Sequence, residues 1–205
     1  MQLLLASNNP GKLREFTALL GGLDLFLVRP ADINLELEVE ETGDTYQKNA
    51  CLKAEAFAKA SGLWSLADDS GLEVDALNGA PGLYSARFAP QLDATDQDRR
   101  EYLLEQLHGK TRPWSARFCC TAVICSPDGM NEIGIGFCPG EIIPEERGLE
   151  GFGYDPIFLV KGKNKTMAEL KPKIKNRLSH RGLAVRDLIP ALERIIQART
   201  DTKST

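Results

Sequence analysis

No apolar run in the 205-residue chain approaches the roughly 18 residues needed to span a bilayer, and Leu3-Leu4-Leu5 gives way at once to Asn8, Asn9, Pro10 and Gly11. The chain therefore reads as soluble and cytoplasmic, with no membrane partner. An excess of positive charge is also missing: 25 lysines and arginines face 29 acids, so no global field draws a nucleic-acid backbone and any anionic ligand must meet a local basic site. The five cysteines lack the paired spacing of a zinc site or a disulfide framework and read as small core residues. A nucleophile elbow is absent, as are the second glycine and the Lys-Ser/Thr pair of a phosphate-binding P-loop.

What is present is an ordinary globular composition, 42% apolar and 26% charged, in a chain long enough to bury a core without staples. Leu3 to Ala6 predicts a buried strand, and Leu13, Phe16, Leu19 and Leu20 follow at helical spacing. Asp24 to Val28 suggests a second strand. Ile33, Leu35, Leu37 and Val39 alternate with polar residues as a third strand would, with Glu40 and Glu41 at its exit. A helix capped by Asp44 or Thr45 is expected to run to Gly62, with Lys48, Asn49 and Lys53 opposite its apolar stripe. Trp64 to Ala67 predicts a short strand that enters a tight turn at Asp68-Asp69-Ser70-Gly71. Thr95 to Leu107 predicts a helix, and Ala116 to Cys125 with Glu132 to Phe137 a hairpin. Gly151 to Pro156 predicts a loop, Lys161 to Lys175 a basic loop-rich stretch, and Leu178 to Ala198 the last helix.

Three places carry candidate chemistry. Ser7 to Lys12 offers a hydroxyl, two amides, a glycine and a lysine ahead of a helix, which suits either a phosphate cradle or a plain capping connection. Glu40-Glu41 and Asp68-Asp69 supply the oxygen donors that a hard cation prefers, or simply solvated caps. Lys12, Lys53, Lys175 and Arg181 are cations that read singly as surface residues, and Ser179 before His180 near the start of the last helix reads as a helix cap.

Taken together, Ser7-Asn8-Asn9-Pro10-Gly11-Lys12, Glu40-Glu41-Thr42-Gly43, Asn49 to Ala54, Ala67 to Leu72, Gly79 to Arg87, Gly151 to Pro156, Lys175-Asn176 and Ser179 to Gly182 resemble, in order and spacing, the inosine triphosphate pyrophosphatase family. The resemblance covers nearly the whole chain. It implies a magnesium-dependent homodimeric enzyme that hydrolyses dITP, ITP and XTP to the monophosphate and pyrophosphate. It implies that Ser7, Asn8, Asn9, Pro10, Gly11, Lys12, Lys53 and Ser70 hold the phosphates, that Asp69 is general base and metal ligand, and that Glu40 is a second ligand. Phe152, Gly153, Tyr154, Asp155, Lys175, His180 and Arg181 would line the nucleotide pocket. Two positions depart from the family pattern: Asn8 replaces a small residue, and Lys48 stands where an acid is common.

The fold expected is α/β: a single two-lobed unit spanning residues 1–198, with a mixed elongated sheet flanked by helices, an active site in the cleft between lobes, and a polar tail over 199–205. Within enzymes, the alternative is a pyrophosphatase for other modified nucleotides, such as pyrimidines; outside them, a non-catalytic nucleotide-binding module. Asp68 and Glu41 are the alternative bases. Besides a nucleoside triphosphate and a second copy of the chain, no partner is expected, and nucleic acid is excluded.

Overall fold

The computed structural model describes residues 1–201. Six strands form one mixed sheet: β1 (Gln2–Leu5), β2 (Phe26–Val28), β3 (Trp64–Val74), β4 (Trp114–Cys125), β5 (Asn131–Ile142) and β6 (Phe158–Val160), in the order β2-β1-β3-β4-β5-β6. β1 runs parallel to both β2 and β3, whereas β5 and β6 are antiparallel. The neighbours β4 and β5 are joined by only five residues, too few for a parallel crossover, so the expected hairpin forms. Five α-helices among the described residues accompany the sheet: α1 (Pro10–Leu20), α2 (Tyr46–Ser61), α3 (Asp96–Leu107), α4 (Pro172–Leu178) and α5 (His180–Asp201). Among the described residues no helix is long and apolar enough to cross a membrane.

The chain divides into two compact units. The first comprises Met1–Asp69, Cys120–Gly136 and the chain from Arg181 onward; the second comprises Ser70–Cys119 and Phe137–His180. In the first unit β1 is buried on both faces, as its unbroken leucine run requires. Leu3 and Leu5 meet Phe16 and Leu20 of α1 and Ala184, Val185 and Leu188 of α5. Leu4, on the other face, meets Ala50, Ala54 and Phe57 of α2. The second unit has its own core, in which Leu72, Val74, Leu103, Leu107, Phe118 and Phe158 are buried together.

Helix α2 starts where the sequence indicates: the Thr45 hydroxyl accepts from the Lys48 amide, and Gly62 closes the helix at φ 69°. Three expectations change. Asn34 to Gly43 joins no ladder; Leu35, Leu37 and Val39 alternate half-buried and exposed neighbours simply by lying extended over the first unit's core. The turn expected at Asp68–Gly71 does not exist, because β3 runs on to Val74, whose burial with Leu72 in the second core favours continuation over reversal. The last helix is interrupted at Ser179, the C-cap residue of α4, so Lys175 sits on a short helix rather than in a loop. Helix α5 extends through Asp201, and residues 202–205 of the expected tail lie outside the described residues.

Gly134 of β5 lets α5 lie against the sheet, since a methyl group there would overlap the carbonyl oxygen of Ala184. Gly134→Ala is therefore expected to lower stability by about 2 kcal/mol, the usual scale of overpacking. Urea denaturation checks it, and an unchanged midpoint would contradict this packing.

Candidate active site

In the first unit the site begins where β1 stops and β3 continues. The Ala6 amide bonds the Leu66 carbonyl at 2.8 Å, so the loop leaving β1 emerges beside Ala67 and the two aspartates. That loop is organised by capping: the Asn9 side chain accepts from the amides of Gly11 (2.8 Å) and Lys12 (3.1 Å), Pro10 opens the helix, and the Ser7 hydroxyl accepts from the Asn9 amide. Asn8 is exposed, and Gly11 is buried. The capping connection weighed from sequence is thus present, and it turns Lys12 toward β3.

Asp68 and Asp69 are adjacent in a strand, so their side chains leave on opposite faces. Asp68 is buried. One carboxylate oxygen pairs with Lys12 Nζ at 2.9 Å; the other accepts from Arg181 Nε (3.1 Å) and Nη2 (3.0 Å) and lies 3.8 Å from the Cys120 thiol. Its backbone carbonyl accepts from Lys53 Nζ at 2.8 Å. Burial would raise the Asp68 pKa, but Lys12, Arg181 and Lys53 together outweigh it and hold the carboxyl far below the usual range. Asp68 is a permanently charged clamp for cations, which removes it as an alternative base.

Asp69 has the reverse character. Its carboxylate accepts from Asn49 Nδ2 at 3.1 Å, and Asn49 Oδ1 in turn accepts from the Gly43 amide at 2.7 Å. Burial raises its pKa; Lys53 opposes the rise, and the nearby charge of Glu41 adds to it. Glu41 is half-buried with its carboxylate 2.5 Å from Lys53 Nζ, whereas Glu40 is exposed. Lys48, the other departure from the family pattern, pairs with Asp44 at the surface.

Among the described residues no three His, Cys, Asp or Glu side chains gather into a metal cluster. The donor set fits a magnesium-type ion nonetheless, because such ions commonly take one or two carboxylates and complete their shell with substrate phosphate and water.

In the second unit, Asp155 and Lys175 form a buried pair at 2.6 Å. The same Asp155 oxygen accepts from the Phe152 amide at 3.0 Å, and Lys175 Nζ lies 5.1 Å from the Phe152 ring centroid. Gly151, at φ 82°, allows this closeness, since a side chain there would overlap the Asp155 carboxylate. Gly153 is held by its amide on Asp96 and its carbonyl on Arg100. Tyr154 lies in the core with its hydroxyl on the Ser85 carbonyl, which leaves the half-buried Phe152 as the ring of this loop able to face a ligand. His180 is buried and stacks on Phe118 at 4.7 Å, and Ser70 is half-buried in β3.

The structure therefore brings Lys12, Lys53, Asp69 and Arg181 together in one unit and Phe152, Gly153, Asp155 and Lys175 in the other, where His180 stands against Phe118. Arg181, expected at the nucleotide, is spent on Asp68 and Glu15. Asn49, Glu15 and Cys120 are additions. Asn49 was legible as the residue one turn before Lys53 on the same helix face, whereas nothing local marked Glu15 or Cys120. All five cysteines are unpaired, and burial pushes the Cys119 thiol up to about 12, as inert core residues require.

This mixed-sheet α/β fold has clear counterparts among solved structures. A HAM1 protein from Coxiella burnetii superposes with a TM-score of 0.85 at 41% identity, over 95% of this chain and 99% of that one. A nucleoside-triphosphatase, dITP/XTP pyrophosphatase, from Mycobacterium abscessus gives a TM-score of 0.73 at 40% identity, over 94% and 100%. The Ham1 family pattern matches residues 3–191, and the chain belongs to that family. Among curated relatives, the dITP/XTP pyrophosphatase of Nostoc sp. is 47% identical over 201 residues, covering 97% of this chain and 98% of its own length. That of Thermus thermophilus is 48% identical over 192 residues, covering 93% and 91%.

Proposed function

We propose that the chain hydrolyses non-canonical purine nucleoside triphosphates (dITP, ITP and XTP) to the nucleoside monophosphate and pyrophosphate. The observation that carries the reading is the division of labour between two adjacent aspartates: Asp68 locked as a charge that holds cations, Asp69 desolvated and so more basic than an ordinary carboxylate. Attack of water on a phosphorus atom asks for charge neutralisation, positioning and a base, which this arrangement supplies. Lys12 and Lys53, held by Asp68, offset triphosphate charge. Asp69, oriented by Asn49, accepts the proton of the attacking water at the α-phosphate. Asp69 and Glu41 are the residues that would hold magnesium, which supplies Lewis acidity toward the phosphate oxygens when bound. Glu41 takes this role rather than Glu40 in this reading, because Glu41 is half-buried and pairs with Lys53, which also meets the Asp68 carbonyl, whereas Glu40 is exposed.

At the base, hypoxanthine and xanthine present a carbonyl acceptor at purine position 6, where adenine presents an amino donor. Lys175, whose ammonium carries more protons than its pair with Asp155 uses, and His180 are donors, and Phe152 offers a ring face. Adenine would leave a donor facing a donor, a mismatch worth roughly a hundredfold or more. Guanine shares the 6-carbonyl, so its exclusion falls to its 2-amino group, and the expected result is that kcat/KM for ITP, dITP and XTP exceeds that for ATP and GTP by at least about 100-fold. Hydrolysis should yield pyrophosphate rather than orthophosphate and stop in excess chelator. A nucleotide panel followed by phosphorus NMR, with and without magnesium, tests all of this. Equal rates on ATP and ITP would remove the substrate class; preference for a modified pyrimidine would transfer it. The homodimer implied by the family belongs to the same reading, with sedimentation equilibrium as its check.

A further inference from the structure

Seven of the chain's 25 cationic side chains, against one of its 29 acids, fall within the 17 residues Lys161 to Arg177. The rest of the chain consequently carries a net charge of about −10, so most of the molecule repels a polyanion. Within the stretch, Lys175 is committed to Asp155. The single acid, Glu169, is committed too: it accepts from the Thr166 amide and pairs with Arg147 at 3.3 Å. Lys161, Lys163, Lys171 and Lys173 are exposed, and none forms an ion pair with an acid among the described residues. Lys165 is exposed as well.

These lysines do not hang on a loose segment. The Val160 amide bonds the Lys165 carbonyl at 3.0 Å and the Lys163 amide the Val160 carbonyl at 3.0 Å, closing a tight turn with Gly162 and Asn164 at positive φ. Thr166, Met167, Ala168 and Leu170 are buried immediately after it. Lys171 then caps α4, which carries Lys173 two residues before Lys175. A buried stretch thus separates the exposed lysines of the turn from Lys171 and Lys173, and Lys173 lies on the same short helix as Lys175 of the candidate site.

We propose that Lys161, Lys163, Lys165, Lys171 and Lys173 form an electrostatic approach surface that gathers the nucleoside triphosphate and raises its rate of capture without touching it in the reacting complex. This rests on the proposed function and adds how a net-negative protein collects a polyanionic substrate. Such attraction acts over about 8–10 Å at moderate salt and is screened away as ionic strength rises.

The test is the triple variant Lys161→Glu, Lys163→Glu, Lys173→Glu, assayed with ITP and magnesium across ionic strength. At low salt kcat/KM is expected to fall about tenfold with kcat unchanged, and to converge on the unmodified protein above roughly 0.5 M salt. An unchanged kcat/KM at low salt would overturn the proposal, as would a deficit that persists at high salt. The association rate of fluorescently labelled ITP with the Asp69→Asn protein reads the same capture step without turnover. If no nucleotide is hydrolysed, the functional reading fails while this measurement still decides the approach surface. Retention of a single-stranded oligonucleotide that depends on these lysines, with salt-insensitive capture of ITP, would reassign the surface to nucleic acid and overturn it.

Discussion

Replacing Asp69 by asparagine is expected to lower kcat by at least about 100-fold, the scale of losing a general base. Asparagine keeps the shape and can still meet Asn49, so the loss reports charge and basicity rather than collapse of the site. The same variant is expected to melt at a higher temperature than the unmodified protein. The sign follows from burial, which raises the Asp69 pKa above its unfolded value. A carboxyl raised in this way contributes stability below its unfolded pKa and loses it as pH rises through the folded value, so at neutral pH the ionised group is a cost that asparagine removes. In the metal-free protein this part of the stability should accordingly decline as pH rises through a range above that of an ordinary carboxylate, and the variant should lack that decline. Steady-state turnover and calorimetry of the metal-free protein across pH measure the two effects; near-normal turnover would move the base to Glu41.

Asp68→Asn should do something different. Here a charge that three cations share is removed from the interior, leaving Lys12 without its counter-ion and Arg181 paired with Glu15. Breaking a buried ion pair from one side typically costs about 3–5 kcal/mol, so a large drop in the urea midpoint is expected. Because Asp68 also places Lys12, KM for the triphosphate should rise in whatever folded fraction remains. The pH dependence is opposite to that of Asp69: a carboxyl held far below its unfolded pKa stabilises above that value, and the contribution is lost as pH falls through the acid range toward the folded pKa. The unmodified protein should therefore lose stability steeply below about pH 4, and the asparagine variant should show a flatter acid limb. Equal acid sensitivity in both proteins would mean that the clamp contributes little.

The family was legible in the sequence because it is carried by short segments whose residue types have few other uses in that order. Asn9-Pro10-Gly11-Lys12 states a helix start and delivers a lysine. Thr45 and Gly62 bracket α2, and Asn49 and Lys53 share one of its faces, all by local rules of capping and 3.6-residue spacing. The unbroken leucines of β1 likewise announced a strand covered on both sides.

What the sequence could not settle were the quantities that depend on neighbours remote in the chain. Asp68-Asp69-Ser70-Gly71 has turn composition, yet it lies in mid-strand because Leu72 and Val74 gain a core by continuing. Leu35, Leu37 and Val39 alternate as a strand would but find no partner to pair with. Arg181 reads as a ligand-facing cation until Asp68, 113 positions earlier, takes two of its donors. Two adjacent aspartates, chemically identical as letters, acquired opposite acidities only through tertiary structure. The alternation of side chains along a strand sends one into a nest of cations and the other toward a carboxylate and an amide, and the protonation of a buried acid is decided by the charges around it.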